Sequence, residues 1–146
     1  MGISVWPQVT PLATIKVVEE RKIRILAVDH NPLLLEGISL LLGLQGDMEL
    51  VCSAASRAEA TEGFAQYRPD VTLMDLDLPS ASGIAAIEEI LKRDPGACII
   101  GLLTYEWGTA RSHALRAGAR ACLTKDRLND ELVSLIREEA ARRRSQ

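Results

Sequence analysis

Val71–Gly83 reads VTLMDLDLPSASG, and its first four residues suit a buried strand that runs straight into a carboxylate. Asp75 then stands at the strand's C-terminal end, where the backbone leaves the sheet. Pro79 and the Ser-Ala-Ser-Gly run keep the following residues out of a helix until about Ser82, so Asp75 lies at the foot of an open loop. In an open α/β sheet, ligands bind in the crevice at the carboxyl ends of the strands. A strand-end aspartate can be a simple solvated charge, but its setting in the pattern D-x-x-x-P-x-x-x-G favours a functional role.

On the N-terminal side, Ile23–Val28 is a short apolar run ending in Asp29, and Asn31-Pro32 supplies a helix cap followed by proline at the first helical position. The helix from Pro32 to about Gln45 carries Leu34, Leu35, Ile38, Leu41 and Leu42 on one stripe and stops near Gly46. Glu49–Ala55 is a second strand. Ser56 with Glu59 three residues on forms a capping box for a helix through about Tyr67, which Arg68-Pro69-Asp70 ends.

Beyond the central stretch, Ile84, Ile87 and Leu91 mark the buried face of a third helix, closed by Asp94-Pro95-Gly96. Cys98–Leu103 is a fourth strand ending in Thr104, and a polar loop with Tyr105 and Trp107 leads to a helix over Thr109–Ala117. That helix's inward positions are alanines plus Leu115, and Gly118 stops it. Ala121–Leu123 is a fifth strand, followed by Lys125 and by a helix with Leu128, Leu132, Leu135 and Ile136 at helical spacing. Alternation of strand and helix five times over predicts a parallel sheet covered on both faces. The chain divides into an extension over residues 1–22, a single domain over 23–141 and a basic tail over 142–146. Trp6 and a weak strand-like patch at Thr14–Val18 lie in the extension.

A chain of 146 residues fits one domain with its own core, built from aliphatic residues because aromatics are only 3% of the sequence. The net charge of −3 gives no general attraction to nucleic-acid phosphate or anionic lipid. The basic run Arg142–Arg144 is short and reads as a solvated helix end. Cys52, Cys98 and Cys122 are odd in number and set in apolar segments, which predicts reduced core thiols. Glu36 interrupts the best apolar run, Leu33–Leu44, and no signal peptide is evident, so the expectation is a cytoplasmic protein without membrane contact.

Asp29, Asp75, Thr104 and Lys125 share one relative position, the ends of strands one, three, four and five. In a parallel sheet those ends share an edge, so four residues distant in sequence converge on one rim. Two close carboxylates repel unless a cation lies between them, and such oxygen ligands suit Mg²⁺ with a phosphate oxygen. Lys125 offers a point charge and Thr104 a hydroxyl, both suited to a phosphoryl group. Taken singly, Asp29 is a helix-start charge, Thr104 a strand-end hydroxyl and Lys125 a loop lysine, and only their coincidence speaks for chemistry. Asp77 and Ser80 read as loop lining and His113 as a surface residue.

RILAVDHNP, MDLDLPSASG, LLT and AGARACLTK, in that order, resemble the receiver domain of bacterial two-component response regulators, in particular those that precede a helix-turn-helix DNA-binding domain. The resemblance covers about residues 24–140. It implies a flavodoxin-like doubly wound sheet in the order 2-1-3-4-5. It further implies that Asp75 is the phosphoacceptor, that Asp29, Asp75 and the backbone carbonyl of Asp77 hold Mg²⁺, and that Thr104 and Lys125 contact the phosphoryl oxygens. The implied partners are a histidine kinase or another phosphodonor and, in some members, a second copy in a homodimer. DNA would be met only through a C-terminal domain that this sequence does not include. No catalysis is implied beyond the domain's own phosphorylation and dephosphorylation.

Three departures qualify the transfer. His30 stands where the family has a second acidic residue, and imidazole prefers softer transition metals to Mg²⁺. Cys122 takes the place of the family's switch aromatic, and the loop after Thr104 is one residue short and carries Tyr105 and Trp107. The first two motivate the alternative of a pseudo-receiver that binds a partner without phosphorylation.

Overall fold

In a computed structural model that describes residues 21–145, each strand of one sheet is followed by a helix. The strands are β1 (Ile23–Val28), β2 (Met48–Ala54), β3 (Val71–Asp75), β4 (Ile99–Leu103) and β5 (Ala121–Thr124). The helices are α1 (Pro32–Gly43), α2 (Arg57–Tyr67), α3 (Ser82–Arg93), α4 (Ala110–Ala117) and α5 (Leu128–Arg144), with short 3₁₀ turns at Pro79–Ala81 and Lys125–Arg127. All strand pairs are parallel, in the order β2-β1-β3-β4-β5. The alternation predicts a parallel sheet covered on both faces, and the flavodoxin-like strand order is the one that the family resemblance implies. The extension expected over residues 1–22 falls, but for Arg21 and Lys22, outside the described residues, as do Trp6 and Thr14–Val18.

Because successive side chains of a strand point to opposite faces, the sheet divides the core in two. Leu26, Val28, Met74, Ile99 and Leu103 pack with Phe64, Ile87, Ile90 and Ala114 under α2, α3 and α4. Ile25, Ala27, Leu73, Ile100, Leu102 and Leu123 pack with Ile38, Leu42, Leu132 and Ile136 under α1 and α5. Strands buried on both faces need near-continuous apolar runs, which β4 supplies and β3 interrupts only with Thr72 before Asp75. All three cysteines are free thiols, and burial pushes Cys98 up to about 11.

Local caps fix where helices begin and end. Asn31 Oδ1 accepts from Leu33 N at 3.0 Å, and Ser56 Oγ accepts from Glu59 N at 3.2 Å while Glu59 reaches back to Ala55 N at 3.1 Å. Gly118 ends α4 with φ of 116°, and a Cβ there would collide with Leu91. Leu115 departs from expectation: it is exposed, and Ala114 is the buried residue of α4. Consecutive residues point about 100° apart round a helix axis, so with Ala114 facing the sheet Leu115 turns toward solvent. Arg142–Arg144 form the last turn of α5, so no break marks the start of a tail at residue 142. Arg143 folds back to donate to the Asp70 carbonyl at 3.1 Å, which a fully solvated helix end would not do.

Candidate functional site

Strand register brings the strand ends together. Val28 pairs with Met74 and Leu103 pairs with Thr124, so Asp29 emerges beside Asp75, and Thr104 beside Lys125. Both aspartates are completely buried, which for an unpaired carboxylate would carry a large desolvation penalty. Lys125 Nζ offsets it from between them, 2.9 Å from Asp75 Oδ1 and 2.9 Å from Asp29 Oδ2. The remaining partners are local. The Asp77 amide donates to Asp75 Oδ1 at 2.8 Å, the Asn31 amide to Asp29 Oδ1 at 2.8 Å, and His30 Nδ1 lies 2.6 Å from Asp75 Oδ2.

The electrostatics follow from these contacts. Burial pushes the Asp75 carboxyl up, but hydrogen bonds from Lys125, His30 and the Asp77 amide outweigh it and hold the group below its ordinary range. Burial pulls Lys125 down, and its close pairing with the Asp29 and Asp75 carboxylates wins, raising it above the usual lysine value. The site is thus a pair of anions clamped by one permanent cation.

Thr104 and Asp77, expected as a phosphoryl contact and a loop residue, are bonded to each other. Asp77 Oδ2 accepts from both the Thr104 amide at 2.8 Å and the Thr104 hydroxyl at 2.6 Å, so the two residues bridge the β3 and β4 loops. Thr104 sits on the rim, held off the Asp75 carboxylate. Ser80 and Ala81 both adopt left-handed backbone, φ 60° and 56°, and carry the loop round into α3. Gly83 at the start of α3 lies so close to the strand end that a Cβ would collide with the Asp75 carbonyl oxygen. That contact supplies a physical reason for the glycine in the loop pattern.

The aromatics after β4 fill no gap in the core and cap no sheet edge. Tyr105 and Trp107 are exposed and stack on each other, ring centroids 4.2 Å apart and 10° from parallel. The loop is pinned instead by Arg111, which bonds Glu106 through two nitrogens and donates to the Cys122 carbonyl at 3.1 Å. Sequence reading passed over Arg111. Its only signal is an arginine in the first turn of a helix with a glutamate five residues before it.

One oxygen each from Asp29 and Asp75 and a ring nitrogen of His30 lie within 4.8 Å of one another. Although Lys125 is close, Asp29 Oδ2 receives no hydrogen bond, leaving a buried anionic oxygen with unused acceptor capacity. The two carboxylates fit a hard divalent cation. The imidazole does not share that preference.

The model of the response regulator receiver domain family matches residues 25–137. The oxygen regulatory protein NreC of Staphylococcus carnosus is 34% identical over 115 residues, 78% of this chain and 53% of its own. The transcriptional regulatory protein DegU of Brevibacillus brevis is 29% identical over 120 residues, 82% of this chain and 51% of its own. This chain therefore spans about half the length of these curated relatives. A LuxR-family two-component response regulator from an Aurantimonas species superposes with a TM-score of 0.78 at 32% identity, covering 82% of this chain and 86% of that one. The response regulator domain of Thermotoga maritima CheB gives 0.76 at 29% identity, covering 83% and 98%. With most of its length matched by that family model and its site built at the carboxyl edge of the same sheet, the chain belongs to the response regulator receiver domains of two-component systems.

Proposed function

We propose that this receiver domain is switched by phosphorylation of Asp75, with Mg²⁺ held by Asp29, Asp75 and the backbone carbonyl of Asp77. The observation that carries the reading is the Asp29–Lys125–Asp75 clamp: a carboxylate kept ionised, beside a fixed ammonium able to pair with an incoming phosphoryl oxygen. Asp75 Oδ1 already accepts from Lys125 and the Asp77 amide, whereas Oδ2 is bonded by His30, whose side chain is about half exposed. Oδ2 is therefore the oxygen that keeps only a long 3.5 Å bond from the His30 amide when the His30 ring swings outward. Its lone pair attacks phosphorus, a carboxyl O–P bond forms, and the bond from phosphorus to the donor nitrogen or oxygen breaks with its electron pair leaving on the donor. A divalent cation held there would supply charge neutralisation for the phosphoryl oxygens.

Thr104 then has a choice of acceptors. Its hydroxyl, now on Asp77, would transfer to a phosphoryl oxygen on Asp75, releasing the bridge between the two loops. Because α4 buries only Ala114, it has little apolar area to resist the shift. The partner in this reading is a histidine kinase or a small-molecule phosphodonor. Leu33 and Leu40 of α1 are exposed, and a groove lined by Leu34, Gly37, Leu41 and Leu128 opens beside Lys125, which supports docking of an apolar helix next to the crevice. The domain phosphorylates and dephosphorylates itself and turns over no other substrate.

Incubation with acetyl phosphate and Mg²⁺, followed by intact mass, tests the reading. A phosphate-sized gain lost in Asp75→Asn supports it; no gain, or a gain that survives the substitution, refutes it.

A further inference from the structure

The opposite, N-terminal edge of the sheet holds a second concentration of charge. A cavity of about 540 Å³ is lined by Arg21, Arg68, Asp70, Ala140, Arg143 and Arg144. Four arginines and one carboxylate thus line the cavity, with Asp94 just outside it 4.0 Å from Arg143, in a chain whose net charge is −3. That carboxylate is already shared: Asp70 Oδ1 pairs with Arg21 at 3.0 Å and Arg143 at 3.5 Å, and Oδ2 accepts from the Arg24 amide at 2.8 Å. The guanidiniums of Arg68 and Arg144 have no hydrogen-bond or ion-pair partner among the described residues.

The arrangement is fixed by the backbone. Arg68 caps α2 in the left-handed region with φ of 48°, and its carbonyl accepts from Arg24 Nη1 at 3.0 Å. Arg143 is anchored by the Asp70 carbonyl at 3.1 Å, and Arg144 follows it in the last turn of α5. Like charges held this way repel unless an anion sits among them.

We propose that this cavity binds a multiply charged phosphate anion of the diphosphate or triphosphate class, free or as the phosphate chain of a nucleotide. Guanidinium forks match phosphate oxygens bidentately. The volume falls in the range of small-molecule sites and exceeds what one phosphate fills. Ala140 is the only apolar residue in the lining, so the site reads phosphate charge and stacks no base. Positive charge confined to one cavity of an acidic chain also disfavours a nucleic-acid duplex, which needs an extended basic stripe.

The test is calorimetric titration of tripolyphosphate into the full 146-residue chain, repeated with ATP and with a single-stranded oligonucleotide. Saturable one-to-one binding at 0.15 M salt is expected, weakened at least tenfold by the Arg68→Glu, Arg144→Glu pair and unchanged by Arg116→Glu on α4. Should that pair unfold the chain, Arg68→Gln alone is expected to weaken binding several-fold. ATP binding that is detectable but no tighter than tripolyphosphate supports a site that reads the phosphate chain alone, and ATP bound tenfold more tightly, or not at all, contradicts it. Non-saturable heats, equal weakening by Arg116→Glu, or an oligonucleotide bound more tightly than tripolyphosphate overturns it.

Discussion

Replacing Lys125 by methionine removes the cation between two carboxylates that have no exposed surface, and the structure sets the size of the effect. At 2.9 Å and an effective dielectric of about 20, each ion pair is worth about 6 kcal/mol before desolvation. Much of that offsets the burial of the three charges, and breaking a buried pair costs about 3–5 kcal/mol net. The lysine keeps some contact with solvent, and His30 and the Asp77 amide still serve Asp75, so the lower end applies. We expect Lys125→Met to lose about 3 kcal/mol in urea unfolding at pH 7 with unchanged m-value, and about 10 °C in Tm. Asp29 is left the worse served of the two, because its Oδ2 has no hydrogen-bond donor. Adding Asp29→Asn to Lys125→Met is therefore expected to recover half the loss or more. A loss under about 1 kcal/mol, or further destabilisation by the second substitution, would refute the clamp.

Other consequences follow from the same contacts. Asp75 is held below its ordinary value of 3.8, so its contribution to stability is present above that value and lost as pH falls through the lower folded one. Wild type should lose stability relative to Asp75→Asn as urea unfolding is carried into that acid range. Lys125 is raised above 10.5, so its share is complete below that pH and lost only as pH rises through the higher folded value. His30→Asp should tighten Mg²⁺ binding by about tenfold or more, read from the emission of exposed Trp107, because it adds a hard oxygen ligand. Gly83→Ala should cost about 1–3 kcal/mol in thermal or urea unfolding, since the new methyl meets the Asp75 carbonyl. Ala81→Gly, by contrast, should add about 0.5–1 kcal/mol by relieving a left-handed alanine.

The elements that were legible in the sequence are those encoded locally. Asn31-Pro32, the Ser56–Glu59 box and Gly118 set helix ends through contacts within a few residues, and the apolar runs of β3 and β4 announce strands buried on both faces. The meeting of Asp29, Asp75 and Lys125 was also legible, because strand parity and register alone carry strand ends to one edge. What escaped depends on loop backbone. The bridge from Asp77 to Thr104 joins two loops, and the turn at Ser80 and Ala81 uses a left-handed serine and alanine that no periodicity encodes. The outward Leu115 and the mutual stack of Tyr105 and Trp107 reflect how α4 and the loop before it are set on the sheet, which only the packed structure resolves. Arg111 was invisible because its acceptor, the Cys122 carbonyl, is a backbone atom of another strand.

Locating the phosphoryl group tests the central claim most directly. After phosphorylation by acetyl phosphate, borohydride reduction converts an aspartyl phosphate to homoserine, and peptide sequencing by mass finds the altered residue. The account predicts homoserine at position 75 and nowhere else; homoserine at Asp29 or Asp77, or unmodified aspartate at all three, would contradict it.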